Sequence, residues 1–219
     1  MRLGVISDVH GNLPALDAVL SDMPPVDTIV CAGDVVGYNP WPDACVTELS
    51  NRDIPTISGN HDRAVIEGTG FRFNSLAAAG VDFARDELSP SSLDWLRSLP
   101  ERRTLADGRV TLVHGHPSDP DRYTYPDDFS PALLFGEELL VLGHTHIQSH
   151  RIFDEGIVLN PGSVGQPRDG DPRAAYAVVD VDEMVVDEHR VGYDIDRVAE
   201  RVREVGLPER IATRLYEGR

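Results

Sequence analysis

Short apolar runs alternate with amphipathic stretches through the first hundred residues. Leu3–Ser7 predicts a buried strand, and Asn12–Ser21 predicts a helix with Leu13, Leu16, Val19 and Leu20 on one face. Asp27–Ala32 predicts the next strand, Pro42–Asn51 a helix and Ile54–Ser58 a third strand. This β-α-β-α-β order implies parallel strands joined by right-handed crossovers. Asn74–Glu87 and Ser91–Leu99 predict two more helices, the second capped by Ser89 or Ser91. The second half is richer in strands: Arg109–Val113, Glu138–Leu142, Gly156–Asn160, Ala174–Val181 and Met184–Val191, with a hairpin turn at Asp180–Glu183. Asp194–Val205 and Pro208–Tyr216 predict closing helices. No linker divides the chain. The pattern predicts one domain over 1–219, two sheets face to face with helices outside, and the helices of 194–219 appended to it.

Composition narrows the class. Hydrophobic residues make up 41% of the 219, enough to build a core. No run approaches the ~18 apolar residues of a membrane span. The opening residues Met1–Asp8 turn acidic too early for a signal peptide, which sets the cytoplasm as the expected compartment. Cys31 and Cys45 lack the spacing of a thiolate zinc site, and Cys31 reads as a small core residue of a strand. All 20 basic residues are arginine against 37 acidic ones, a net charge of −17. Such a surface repels itself in dilute salt and is tolerable where molar salt screens it, so a halophilic source is expected. A GC-rich genome explains the missing lysine but not the charge. The same charge argues against nucleic acid as a stable partner and against membrane-surface binding.

Five polar clusters each follow a predicted strand: Asp8-Val9-His10, Gly33-Asp34, Gly59-Asn60-His61-Asp62, His114-Gly115-His116 and Gly143-His144-Thr145-His146. They hold six of the eight histidines, far more than structural capping needs. Carboxyl ends of strands in α/β sheets are where ligands collect. Carboxylates and imidazoles grouped there without a cation would cost several kcal/mol each. The set therefore reads as a metal site with too many ligands for one ion. Carboxylate, amide and imidazole donors without thiolate suit Mn²⁺, Fe, Ni²⁺ or Zn²⁺.

In order and content these five blocks resemble the calcineurin-like metallophosphoesterases, above all the small stand-alone prokaryotic members related to diadenosine tetraphosphatases and phosphodiesterases. Gly33–Tyr38 and Asn160–Arg168 also look like that subgroup. The resemblance implies an α/β four-layer α/β/β/α sandwich of two mixed sheets. It implies two divalent metal ions, manganese foremost: Asp8, His10 and His146 would hold one, Asn60, His114 and His144 the other, and Asp34 would bridge them. It further implies hydrolysis of a phosphodiester or phosphomonoester, by in-line attack of a metal-bridging hydroxide on a small phosphate-ester substrate. His61 would protonate the leaving group or stabilise the transition state. A relative of another class exists on this scaffold, the retromer subunit. Catalytically silent binding modules of that kind alter the ligands or the histidine after the Asn, whereas here Asn60-His61 is intact.

Several residues leave alternatives open. Asp62 would orient His61 or cap the following helix. His116 would contact substrate or make a supporting hydrogen bond. Arg168 would clasp a phosphate or sit solvated in its loop, and Arg63 is similar. Tyr38, Asn39 and Trp41 would wall a ring or form a plain rigid loop between Pro40 and Pro42. Pro117–Pro131, rich in Asp and Pro with Tyr123, Tyr125 and Phe129, is expected to rim the substrate pocket.

Overall fold

Continuous apolar runs become buried strands, and the capped amphipathic stretches become helices. The computed structural model describes residues 1–68 and 73–219. β1 (Arg2–Ile6) leads into α1 (Leu13–Asp22), whose first turn is capped by Asn12 accepting the Ala15 amide at 3.3 Å. β2 (Thr28–Cys31) pairs parallel with β1, and Cys31 is buried in it. α2 (Pro42–Asn51), α3 (Asn60–Glu67), α4 (Ser75–Glu87) and α5 (Pro90–Ser98) follow. Asn74 caps α4 and Ser89, one of the two serines expected, caps α5.

The strand-rich half supplies β3 (Arg102–Leu105), β4 (Val110–Val113), β5 (Leu139–Val141), β6 (Ser149–Phe153), β7 (Gly156–Asn160), β8 (Ala174–Asp180) and β9 (Val185–Val191). α6 (Ile195–Glu204) and the short α7 (Glu209–Thr213) come last, with a 3₁₀ turn at Leu215–Glu217 where a longer helix was expected. One sheet runs β2-β1-β8-β9 and the other β3-β4-β5-β7-β6, and both mix parallel and antiparallel pairs.

The expected strand at Ile54–Ser58 is reduced to one parallel bridge, Cys31 to Thr56. Pro55 has no N–H to give a ladder. The segment still runs beside β2, with the Ile57 amide donating to the Cys31 carbonyl at 3.2 Å.

Leu3, Val5, Val30, Leu112, Val141 and Leu159, all buried, belong to the apolar layer between the sheets. The helices cover the first sheet through Leu16, Val19, Leu49, Val65 and Val81. Phe129 and Leu133 cover Leu140, Leu142 and Val158 on the outer side of the second. α6 and α7 pack Val198, Val202 and Ile211 against Tyr38 and Ala77. Sandwiching the sheets brings the carboxyl ends of β1, β2, β4 and β5 to one rim; four of the polar clusters follow those ends, and Gly59–Asp62 follows the Ile54–Ser58 segment that runs beside β2.

Candidate metal centre

The loops after the strands are tightly bent. Asp8, His10, Asp34, His144 and His146 have φ of 54°, 48°, 53°, 68° and 60°. This left-handed region costs a non-glycine residue about 1–2 kcal/mol. Such conformations persist only where the surroundings fix them, and they gather at functional sites. Here buried bonds do the fixing. Ser163 donates to the Asp8 carbonyl at 2.7 Å, and Asn39 donates to the His10 carbonyl at 3.0 Å. Asn160 donates to the Gly143 carbonyl at 2.7 Å and to Thr145 Oγ1 at 3.0 Å. Gly143 itself has no room for a side chain: an added Cβ would lie 3.0 Å from Asp8 Oδ2 and 3.2 Å from His114 Nδ1.

Three imidazoles are locked in the same way. Nδ1 of His10 donates to the Val36 carbonyl at 3.0 Å, that of His114 to Ala32 at 2.8 Å, and that of His146 to Gln166 at 2.6 Å. Each bond fixes the tautomer and leaves the Nε2 lone pair pointing inward. His144 is turned the other way: its Nε2 faces the Asp121 carbonyl at 3.2 Å, leaving Nδ1 as the acceptor. The donors Asp8, His10, Asp34 and His146 present ligand atoms within 4.8 Å of one another, and so do Asp34, His114 and His144. Asp34 belongs to both groups. Its Oδ2 is 3.6 Å from His10 Nε2 and 3.2 Å from His114 Nε2, while its Oδ1 accepts the His61 amide at 2.8 Å.

This arrangement fits cations. His10 Nε2 and His146 Nε2 stand 3.1 Å apart, two lone pairs facing each other. Among the described residues, Asp8 Oδ1, Asp34 Oδ2, Asn60 Oδ1 and His114 Nε2 are buried without a hydrogen-bond partner. Orphaned acceptors converging on two points demand positive charge. With protons alone the demand falls on His114: burial pushes it down, but Asp34 prevails and raises it to about 9. Burial favours the neutral form of Asp8 and Asp34 too, yet the facing imidazoles hold both carboxyls below their usual range.

Residues 1–184 match the calcineurin-like phosphoesterase superfamily domain. This chain belongs to that superfamily. It is 33% identical to an uncharacterized protein of Methanocaldococcus jannaschii, over 99% of this chain and 98% of that one. Phosphodiesterase YfcE of Escherichia coli is 29% identical, over 85% of this chain and 91% of its own. A solved metallophosphoesterase from Sphaerobacter thermophilus, 37% identical, superposes with a TM-score of 0.84 over 100% of this chain and 99% of that one.

In this phosphoesterase-superfamily chain the remaining candidates fall into distinct places. Asn60 and His61 open α3 and line a cavity of about 510 Å³ with Tyr38, Phe73, Tyr123 and His144. Burial holds His61 down at about 4, so its ring is neutral at pH 7. Asp62 makes no hydrogen bond to the His61 ring among the described residues. It accepts the Gly59 amide at 3.0 Å as a cap, and the Val35 and Val36 amides at 2.9 and 3.2 Å. Burial and the Asp34 carboxylate push it up to about 7. His116 turns away from the cavity and accepts from Ser118 Oγ at 2.9 Å. Arg168 is half-buried, bonded to Gln166 Oε1 at 2.8 Å and to the Tyr38 hydroxyl at 3.3 Å. Arg63 pairs with Asp121. From the 117–131 loop Asp121 and Tyr123 reach the cavity wall, and Tyr123 stacks on His144 with centroids 4.0 Å apart.

Sequence reasoning passed over the part Asn160 plays as the clamp of the Gly143–His146 loop. Its position as the polar last residue of a buried strand was the available signal. The lining contribution of Phe73 carried no signal at all.

Proposed function

We propose that this chain hydrolyses small phosphoric esters, phosphodiesters ahead of phosphomonoesters, using two divalent ions of which manganese is the first choice. The observation that supports this reading is Asp34 Oδ2, an unpartnered carboxylate oxygen shared by two separate donor groups. Asp8, His10 and His146 would hold one ion, Asn60, His114 and His144 the other, with Asp34 between them. Ions bound there would supply charge to the phosphoryl oxygens and lower the pKa of a bound water to about 7.

The chain's own groups do the rest. The Val36, Ala32 and Gln166 carbonyls aim the imidazoles. His61, neutral and on the cavity wall, offers an N–H to a phosphoryl or leaving-group oxygen, a contribution of about 10²–10⁴ in rate. Asp62 holds the helix that presents it. The phosphodiesterase activity named for the Escherichia coli relative favours diesters. The net charge of −17 favours small substrates over polyanionic chains. No described helix is long and apolar enough to cross a membrane, in keeping with a proposed cytoplasmic setting.

The test is hydrolysis of bis(p-nitrophenyl) phosphate by full-length protein supplied with Mn²⁺, with metal analysis of the same sample. Turnover is expected, and Asp34→Asn or His61→Ala is expected to abolish it. A metal-loaded chain that cleaves no phosphate ester above background would overturn the reading and leave the silent binding module.

A further inference from the structure

A second cavity of about 580 Å³ adjoins the first, and Asn74 lines both. Its walls are the N-terminus of α4, at Asn74 and Ser75, and Arg210, Arg214, Glu217 and Arg219 of the C-terminal helical segment. That segment lies outside residues 1–184, so the superfamily match does not account for it.

The charge here runs against the rest of the molecule. In a chain with 37 carboxylates, three guanidiniums line one small cavity. Glu217 is engaged by Arg219 at 3.3 Å. Arg214 is half-buried and donates through Nε to a main-chain carboxylate oxygen of Arg219, the last residue, at 2.8 Å, which leaves its terminal nitrogens. Among the described residues no carboxylate side chain forms an ion pair with Arg210 or Arg214. Arg214 instead lies in the fields of Arg168 and Arg210. With Glu217 and the Arg219 carboxylate already engaged, the crowded guanidiniums still leave N–H groups and positive charge that a further anion would satisfy. The α4 N-terminus adds positive potential on the facing wall: Asn74 caps the Leu76 and Ala77 amides at 3.0 Å each, and among the described residues nothing accepts from the Ser75 amide.

The cluster also connects to the metal centre. The Tyr38 ring is 4.8 Å from the His61 ring, and its hydroxyl accepts from Arg168 at 3.3 Å. The charge of Arg214 also acts on this phenol, against the burial that pushes it up. The two cavities meet at Asn74, and the charge on Arg214 is felt by the Tyr38 and Arg168 groups beside His61.

We propose that this second cavity binds a second phosphoryl group of the substrate, so that the preferred ester is cleaved at the metal centre while Arg210 and Arg214 hold its other anionic end. The inference rests on the phosphoesterase reading above. Guanidinium forks match phosphate in geometry and charge, and the neighbouring helix N-terminus supplies a further N–H.

The experiment compares two p-nitrophenyl esters of thymidine 5′-phosphate, one with a free 3′-hydroxyl and one with a 3′-phosphate. Full-length wild type, Arg210→Gln and Arg214→Gln are assayed with Mn²⁺. The wild type is expected to favour the 3′-phosphorylated ester in kcat/KM. Each variant is expected to lose about ten-fold of that preference, in KM, with hydrolysis of the hydroxyl ester unchanged. Arg210 is exposed, so its variant tests the cavity even if Arg214→Gln folds poorly. Unchanged preference in both variants overturns the inference and leaves the phosphoesterase reading standing. If the wild type cleaves neither ester, the phosphoesterase reading fails and the inference falls with it; a wild type that cleaves both esters without preference overturns the inference alone. Inorganic phosphate that binds through Arg210 and Arg214 without competing with the phosphorylated ester would mark a free regulatory anion and overturn the substrate assignment.

Discussion

Asp62 Oδ1 accepts the Val35 amide at 2.9 Å, tying the helix that begins with Asn60 and His61 to the loop that carries Asp34. Its two oxygens together satisfy three buried amides. Replacing it with alanine strands those donors, each costing about 1–3 kcal/mol. Asp62→Ala is expected to lower the melting temperature sharply and to weaken metal retention about 10–100-fold. Thermal unfolding beside elemental analysis checks both, and a metal-replete variant melting like wild type would contradict it.

Gly37 has φ of 91°, and a Cβ there would lie 3.1 Å from the Cγ of His61, with Nδ1 nearer still. Gly37→Ala pays about 1–2 kcal/mol of backbone strain and displaces the ring. Ester hydrolysis is expected to fall about 10²-fold or more, with metal content intact because His61 is not among the metal donors. Loss of metal in this variant would show that the ring also supports the ligands.

A cation received by the facing lone pairs of His10 and His146 would stabilise the native state by linkage. A ligand that binds only the folded state adds about 2.7 kcal/mol at one hundred times its Kd. Chelation is expected to lower the melting temperature, and Mn²⁺ to restore it in a concentration-dependent way. Calorimetric scans that overlay with and without chelator would remove the metal centre as a source of stability.

A net charge of −17, with arginine as the basic side chain throughout, should make stability depend on screening. The melting temperature is expected to climb with KCl as the screening length falls from about 10 Å at 0.1 M to about 3 Å at 1 M. Potassium sulfate at matched ionic strength separates screening from ion-specific effects. A flat response would remove the halophilic interpretation.

The fold was legible wherever burial wrote a continuous apolar run. β1, β2, β5, β7 and β8 lie in such runs. β3 and β6 were not anticipated, because Arg102-Arg103-Thr104-Leu105 and Ser149-His150-Arg151-Ile152-Phe153 are edge strands with polar outer positions. An edge strand has one neighbour and half its surface in water, so its composition carries little of the core's signature. The candidate site was legible through residue type and order, and the structure brings Asp8, His10, Asp34, His114, His144 and His146 together. The supporting contacts were not. Asp62 reaching Val35 spans 27 residues, and no local pattern encodes it. Arg210 and Arg214 sit in a helical stretch that reads as a solvated face, and only packing against Tyr38 and α4 gives them a common cavity.

The left-handed turns at Asp34 and His144 set the folded chain against its own chemistry. Glycine would relax either turn at no steric cost, yet glycine has no donor to offer a cation. Glycine variants at these two positions should therefore outlast the matching alanine variants on heating, while binding metal equally poorly. A descendant with no use for a cation there would have a short path to a sturdier molecule, through glycine at the very places where metal binding would demand aspartate and histidine.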